Sequence, residues 1–365
     1  MKKFLSYFSI LLFLTAILNS CKKDEIKDLF PSDVIKGCYV VNYGAFGKGG
    51  ASISKYNYDT EEMTNFFYQG QNGGAELLSN IQYAYHYNDS IFLMGNSADQ
   101  VITVNPLFKQ TLNGVSQDIA KPRFCVASGN YLYVSCWGTN PDWSAMPGTY
   151  IAKYNIQTRT VEKKYSLPGG PEGLEFANGN LYVALNFKDS VAVIDVTNET
   201  VAYIETPAVT SYFIKDGQDN LYVSLLSTYS NPSTETGLGY INTSTNQVEA
   251  TYQLENVSSG YGSIMKPNAD FSKIYVITSA YDANWNLTGA ISEFDVATKS
   301  FAADKLVNDI SGISGLAVNP YDDNLYIFVS ESTTGIGLMK IYSNTGDFLK
   351  EFPVGASPNG AFFLE

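Results

Sequence analysis

The chain has 365 residues, with 36 acidic against 23 basic side chains and one histidine, giving a formal charge of −13. Such a surface repels nucleic acid and anionic lipid, and a lone His86 argues against a histidine-rich zinc or copper centre or a Ser–His–Asp constellation. With only Arg123 and Arg159 as arginines, bidentate clamps for phosphate or carboxylate are scarce.

The first element is a leader. Met1-Lys2-Lys3 is basic and Phe4 to Leu18 is a short apolar run, which reads as a secretory signal over residues 1–20 rather than a membrane span. It ends in Leu18-Asn19-Ser20-Cys21, which resembles a lipobox, so Cys21 is the expected lipidation site. Lys22-Lys23-Asp24-Glu25 follows, and residues 21–36 read as a lipidated tether. The charged patch after Cys21 resembles the surface-export signal of Bacteroidetes lipoproteins, and that resemblance implies a location at the outer membrane, exposed at the cell surface and held by lipid chains alone. Loss of Lys2 and Lys3 with the leader moves the charge from −13 to −15.

From residue 37 to residue 365 the chain is rich in Tyr, Val, Ile, Phe and Thr, with polar turns between short runs, which argues for β-structure. One phrase, an apolar run with an aromatic second residue, recurs seven times. It reads Cys38-Tyr39-Val40-Val41, Ile91-Phe92-Leu93-Met94, Leu132-Tyr133-Val134-Ser135 and Leu181-Tyr182-Val183-Ala184. It returns as Leu221-Tyr222-Val223-Ser224, Ile274-Tyr275-Val276-Ile277 and Leu325-Tyr326-Ile327-Phe328. The copies start 40 to 53 residues apart. The unit from Gly170 to Pro207 divides into four strands: A over Gly173–Ala177, B over Leu181–Leu185, C over Ser190–Val196 and D over Thr200–Glu205. Four antiparallel strands repeated seven times predict an all-β, seven-bladed β-propeller. The chain enters at a B strand and ends on Pro358-Asn359-Gly360-Ala361-Phe362-Phe363-Leu364, a strand A phrase. The C-terminal strand should therefore complete the first blade and close the ring.

The A–B and C–D turns are short and polar and read as solvated hairpin ends. The B–C loops are longer and hold all three tryptophans: Trp137 and Trp143 in Cys136–Gly148, and Trp285 in Ser279–Gly289. Their aromatics and amides make the candidate ligand-binding set Asn42, Phe46, Asn96, Trp137, Trp143, Asn186, Phe187, Tyr229, Tyr281 and Trp285, joined by Tyr261 from a D–A crossover. The polar groups are mostly amides and hydroxyls, which suits a broad, neutral, amide-rich ligand. Trp143 is expected to touch ligand or partner, and Trp137, beside the strand end, either to touch ligand or to brace the loop.

Other chemistry is sparse. Gly47-Lys48-Gly49-Gly50 has no helix behind it and reads as a flexible loop, and no nucleotide or calcium-loop motif appears. Asp142, Glu172, Glu235 and Asp282 fall on or near the loop face; solvation is the expected role of each, with acid–base work the sharper alternative. Cys125 and Cys136 flank the turn Ser128-Gly129-Asn130, and either a disulfide or two buried thiols fits that spacing. No catalytic residue, metal site or resident cofactor is expected.

The phrase "LYVALNFKDSVAVIDVTNETVAYIETP" is similar to the YncE-like seven-bladed propellers. The opening "YVVNYGAFGKGGASISKYNYDTEEMTN", behind Cys21 and its acidic patch, resembles Bacteroidetes surface lipoproteins that include the BtuG-type cobalamin-binding family. That resemblance implies a non-enzymatic binding protein. It would capture cobalamin or a related corrinoid and deliver it to a TonB-dependent outer-membrane transporter of the BtuB type. The other readings are a propeller that docks a protein or glycan, and an enzyme of the lyase or hydrolase class.

Overall fold

A computed structural model describes residues 36–364 apart from 46–47, 117, 140–141, 144, 258–263, 282–286, 331 and 333. The leader, Cys21 and the tether up to residue 35 lie outside the described residues. Seven antiparallel sheets form the blades of a propeller. The second blade is β4 (Ile81–Tyr87) to β7 (Gln110–Val115), the third β8 (Pro122–Ser128) to β11 (Thr160–Ser166), and the fourth β12 (Pro171–Ala177) to β15 (Thr200–Glu205). The fifth is β16 (Val209–Lys215) to β19 (Gln247–Gln253), the sixth β20 (Met265–Pro267) to β24 (Val307–Ser311), and the seventh β25 (Ile313–Val318) to β28 (Phe348–Ala356). The first blade joins both ends of the chain in the order β29 (Pro358–Leu364), β1 (Gly37–Asn42), β2 (Ser52–Asn57), β3 (Glu62–Thr64).

The ring closes as the sequence predicts. β29 runs antiparallel to β1 from Gly37↔Leu364 to Asn42↔Pro358. The hydrophobic pattern explains why each strand takes its layer. B strands are covered on both sides by neighbouring blades, so β1 and β17 (Leu221–Leu226) are buried at every position. D strands lie at the outer edge. β19 alternates exposed and half-buried residues, and β11 sets charges along its free edge.

Seven core clusters fill the seven gaps between blades. The recurring aromatic of the sequence phrase supplies one member to each: Tyr39, Phe92, Tyr133, Tyr182, Tyr222, Tyr275 and Tyr326. The repeat is therefore the signature of blade-to-blade packing, since each blade buries its apolar face only against the next.

Two details depart from the sequence reading, and a third decides between two readings that it left open. A short helix α1 (Phe67–Gln71) sits in the first crossover. In the sixth blade β21 (Lys273–Tyr281) and β22 (Leu287–Asp295) extend into the segment expected to be loop, pairing as far as Tyr281↔Leu287, and the outer strand is split between β23 (Ser300–Phe301) and β24. Cys125 and Cys136 are free, buried thiols rather than a disulfide. Cys125 pairs with Val134 and Cys136 with Pro122, so the two cysteines are never opposite each other. Burial pushes the Cys125 thiol well up and the Cys136 thiol to about 12.

Candidate functional site

The innermost strand of every blade faces the propeller axis, where a cavity of about 650 Å³ opens toward the B–C loops. Its chemistry is set by a backbone irregularity that recurs in six blades. In β4, β8, β12, β16 and β25 the pairing with the B strand shifts just after the strand begins, and the β1–β29 pair shifts beside Asn359. A bulge leaves its extra residue out of the ladder and re-aims its side chain. The first residues of these bulges are Gln82, Arg123, Glu172, Ser211, Ser314 and Asn359. All but Ser314 line the cavity.

Arg123 is the hub of this ring. Its Nε and one Nη each donate to Glu172 at 2.9 Å, and the other Nη donates to Gln82 Oε1 at 2.9 Å. The guanidinium lies 3.9 Å from the Trp137 ring centroid, a cation–π contact. One side chain thus ties the second, third and fourth blades together. Burial pulls the guanidinium down, but the Glu172 charge and hydrogen bonds outweigh it and hold it above its ordinary range. Asn359 donates to the Gln82 carbonyl at 2.9 Å and bridges the first and second blades. Below the ring the wall is aromatic: Tyr83 and Phe124 stack at 3.9 Å, with Tyr212 edge-on to Phe124 at 6.2 Å. Lys266 comes from β20 at the depth of the repeat aromatic, opposite Tyr275.

The mouth is built by the loops. Trp137 donates its indole N–H to the Pro171 carbonyl at 3.0 Å, so it braces the loop while also lining the cavity. Trp143 and Phe187 both pack against Trp137, at 5.6 and 5.9 Å. Gly170 makes room for this cluster: at φ +68° it sits where a Cβ would come 2.6 Å from the Phe187 ring. Trp143 is 60% exposed and Tyr229 fully so. The Asn186 side-chain oxygen is buried without a hydrogen-bond partner among the described residues.

Of the sequence-predicted residues, Trp137, Trp143, Asn186, Phe187 and Tyr229 converge on this mouth. Asn42 does not. It is the last residue of β1, fully buried, and donates to Ser52 and Ser54, because the loop begins one residue later than its sequence suggests. Asn96 braces the start of β8 by donating to the Pro122 carbonyl at 3.1 Å and lies off the cavity wall. Tyr281 ends β21. Phe46, Tyr261 and Trp285 lie outside the described residues, as does Asp282. Glu172, expected to be solvated, is a buried ion-pair partner. Asp142 and Glu235 are exposed and line no part of the cavity. Arg123, Lys266, Gln82 and Asn359 were missed. For Gln82, Arg123 and Asn359 the signal was positional: each follows the first residue of a strand A, as in Ile81-Gln82, Pro122-Arg123 and Pro358-Asn359.

Among the described residues, no group of three His, Cys, Asp or Glu side chains comes together as metal ligands, and no helix is long and apolar enough to cross a membrane. Fold and cavity define a seven-bladed β-propeller with a ligand-sized axial pocket. The chain belongs to the family described as a domain of unknown function, DUF5074, whose model matches residues 36–363. No curated protein matches it. Among solved structures it is similar to a quinonprotein alcohol dehydrogenase-like protein from Bacteroides thetaiotaomicron, at 16% identity and TM-score 0.68, covering 90% of this chain and 78% of that one. It is also similar to the periplasmic gluconolactonase of Pseudomonas aeruginosa, at 13% identity and TM-score 0.66, covering 90% and 99%. A functionally unknown protein from Desulfotomaculum acetoxidans aligns at 11% identity and TM-score 0.64, covering 90% and 99%. At these identities the likeness is one of fold.

Proposed function

We propose that this propeller is a lipid-anchored capture protein of the cell surface, akin to the YncE-like, BtuG-type lipoproteins. In this reading it holds cobalamin or a related corrinoid at the mouth of the axial cavity and passes it to a TonB-dependent transporter of the BtuB type. The observation that carries the reading is the mouth itself. Trp143 and Tyr229 stand exposed above a half-buried cluster of Trp137 and Phe187, beside an Asn186 oxygen that has no hydrogen-bond partner among the described residues. Exposed aromatics over a concave opening are costly to leave in water and suit a broad, partly apolar ligand edged with amides. The lipobox at Cys21 and the charged segment after it support the surface location. Isothermal titration of the protein with cyanocobalamin tests the reading. Binding at micromolar affinity or better, weakened by Trp143→Ala, is the expected result. No heat at micromolar protein would overturn it.

A further inference from the structure

The cavity below the mouth has a chemistry that a broad neutral ligand does not use. Its walls carry three charged side chains, Arg123, Glu172 and Lys266. Arg123 and Glu172 neutralise each other through two hydrogen bonds. Lys266 has no acidic or hydrogen-bonding partner among the described residues, and the wall beside it is Ile264, Met265, Phe213 and Leu316. The balance of the three is therefore one uncompensated positive charge, inside a protein whose formal charge is −13. Lysines at the surface of an acidic protein find carboxylates easily, as Lys215 does with Glu175 and Asp219. Lys266 is held away from them by the ring of blades. An enclosed, unpaired ammonium is costly to retain. Burial accordingly pulls Lys266 below the ordinary lysine range.

We infer that the axial cavity is an anion site, in which Lys266 is the counter-ion for a singly charged carboxylate or phosphate ester carried on an apolar or aromatic body. The stack of Tyr83 on Phe124 and the edge-on Tyr212 form the wall for that body. Gln82 and Asn359, at the level of the bulges, stand nearer the mouth and can hydrogen-bond its polar edge. Arg123 stays with Glu172 and does not serve the anion directly. This inference rests on the reading that the cavity mouth receives a ligand, but not on that ligand being a corrinoid.

The test is calorimetric titration of the purified protein with three aryl probes: benzoate and the diester methyl phenyl phosphate, each singly charged at neutral pH because a diester has no second ionisation, and the neutral benzamide. The wild type should prefer at least one anion over benzamide by tenfold or more, which is about 1.4 kcal/mol. Which anion is preferred distinguishes a carboxylate ligand from a phosphate ester. Lys266→Met should remove the preference, and Lys266→Arg should keep most of it. Lys266→Met should also melt no lower than wild type, since it removes an unpaired charge. If it fails to fold, Lys266→Gln carries the same expectation for binding. Equal binding of anion and benzamide, binding of none of the three, or a preference that survives loss of Lys266 would each overturn the inference. Cyanocobalamin titration of the same samples is read separately. Failure there with the anion preference intact rejects the corrinoid and leaves the anion site standing.

Discussion

Replacing Glu172 with alanine should be the most destabilising single change at the axis. It removes two of the three acceptors of Arg123 and leaves a guanidinium whose side chain is only 16% exposed, while the departing carboxylate was 3% exposed. Breaking a buried pair from one side typically costs about 3–5 kcal/mol. Gln82 and the Trp137 ring remain to hold part of the charge, so we place the loss near the lower end, about 3 kcal/mol. For a propeller of this length that corresponds to a fall of roughly 4–6 °C in Tm. The double variant Arg123→Met/Glu172→Leu removes the charge along with its partner, and should recover to within about 1 kcal/mol of wild type, because apolar replacement of a buried pair is often neutral. Thermal and urea unfolding of both singles and the double form a cycle that isolates the coupling. Two results would refute the reasoning: Glu172→Ala within about 0.5 kcal/mol of wild type, or a double variant as damaged as the single.

The remaining expectations follow from the same geometry. Trp143→Ala should change stability by less than about 1 kcal/mol, since the ring is mostly exposed, yet weaken ligand binding about tenfold or more; a loss of stability without loss of binding would return the loop to a purely structural role. Deleting residues 358–365 removes β29 and reopens the ring, so unfolding should become non-cooperative or lose more than about 5 kcal/mol; an unchanged melting curve would defeat the closure argument. Cys38, Cys125 and Cys136 should resist thiol reagents at pH 8 in the folded protein, because burial raises all three, and all three should react after denaturation without reductant; fewer than three would reveal a disulfide. Burial lowers Lys266, so between that lowered value and the ordinary lysine range near ~10.4 the unfolded chain binds its proton more tightly. Stability should therefore rise relative to Lys266→Met as pH climbs through that window, and a pH-independent difference would contradict the assignment.

The propeller was legible because its signal is repeated and apolar. A B strand buried on both faces must be a continuous hydrophobic run. One aromatic per run must fill the gap to the next blade, so Tyr182 and its six counterparts mark every interface at once. The turns were legible for a similar reason. Asp195 accepts hydrogen bonds from the Thr197 and Asn198 amides at 2.9 Å and delivers the chain to Glu199 at φ +59°, and Asn155 does the same ahead of Arg159. The rim was half legible. Loop aromatics such as Trp143 announce themselves by composition, whereas Asn42 in the same count proved to be strand, since an amide at a strand end looks like an amide in a loop.

The axis was the part the sequence concealed, and the reason lies in the bulges. A regular strand places alternate residues on opposite faces, so a polar residue one place after a strand begins reads as belonging to a blade's side. The bulge breaks that alternation and turns it toward the axis instead. Gln82, Arg123, Glu172 and Asn359 come from segments far apart in sequence, and nothing in any one of them shows that the ring will bring them together. Once the ring is closed the same offset repeats from blade to blade. Chemistry can then vary at one position per blade while the packing phrase beneath it stays fixed. Lys266 falls outside this pattern: β20 holds only Met265-Lys266-Pro267, pairs without a shift, and presents its lysine at a depth where the other blades place apolar or aromatic residues or, at Glu175, a carboxylate paired with Lys215. A charge retained where the described residues offer it no partner is what a wall built only for stability would have replaced.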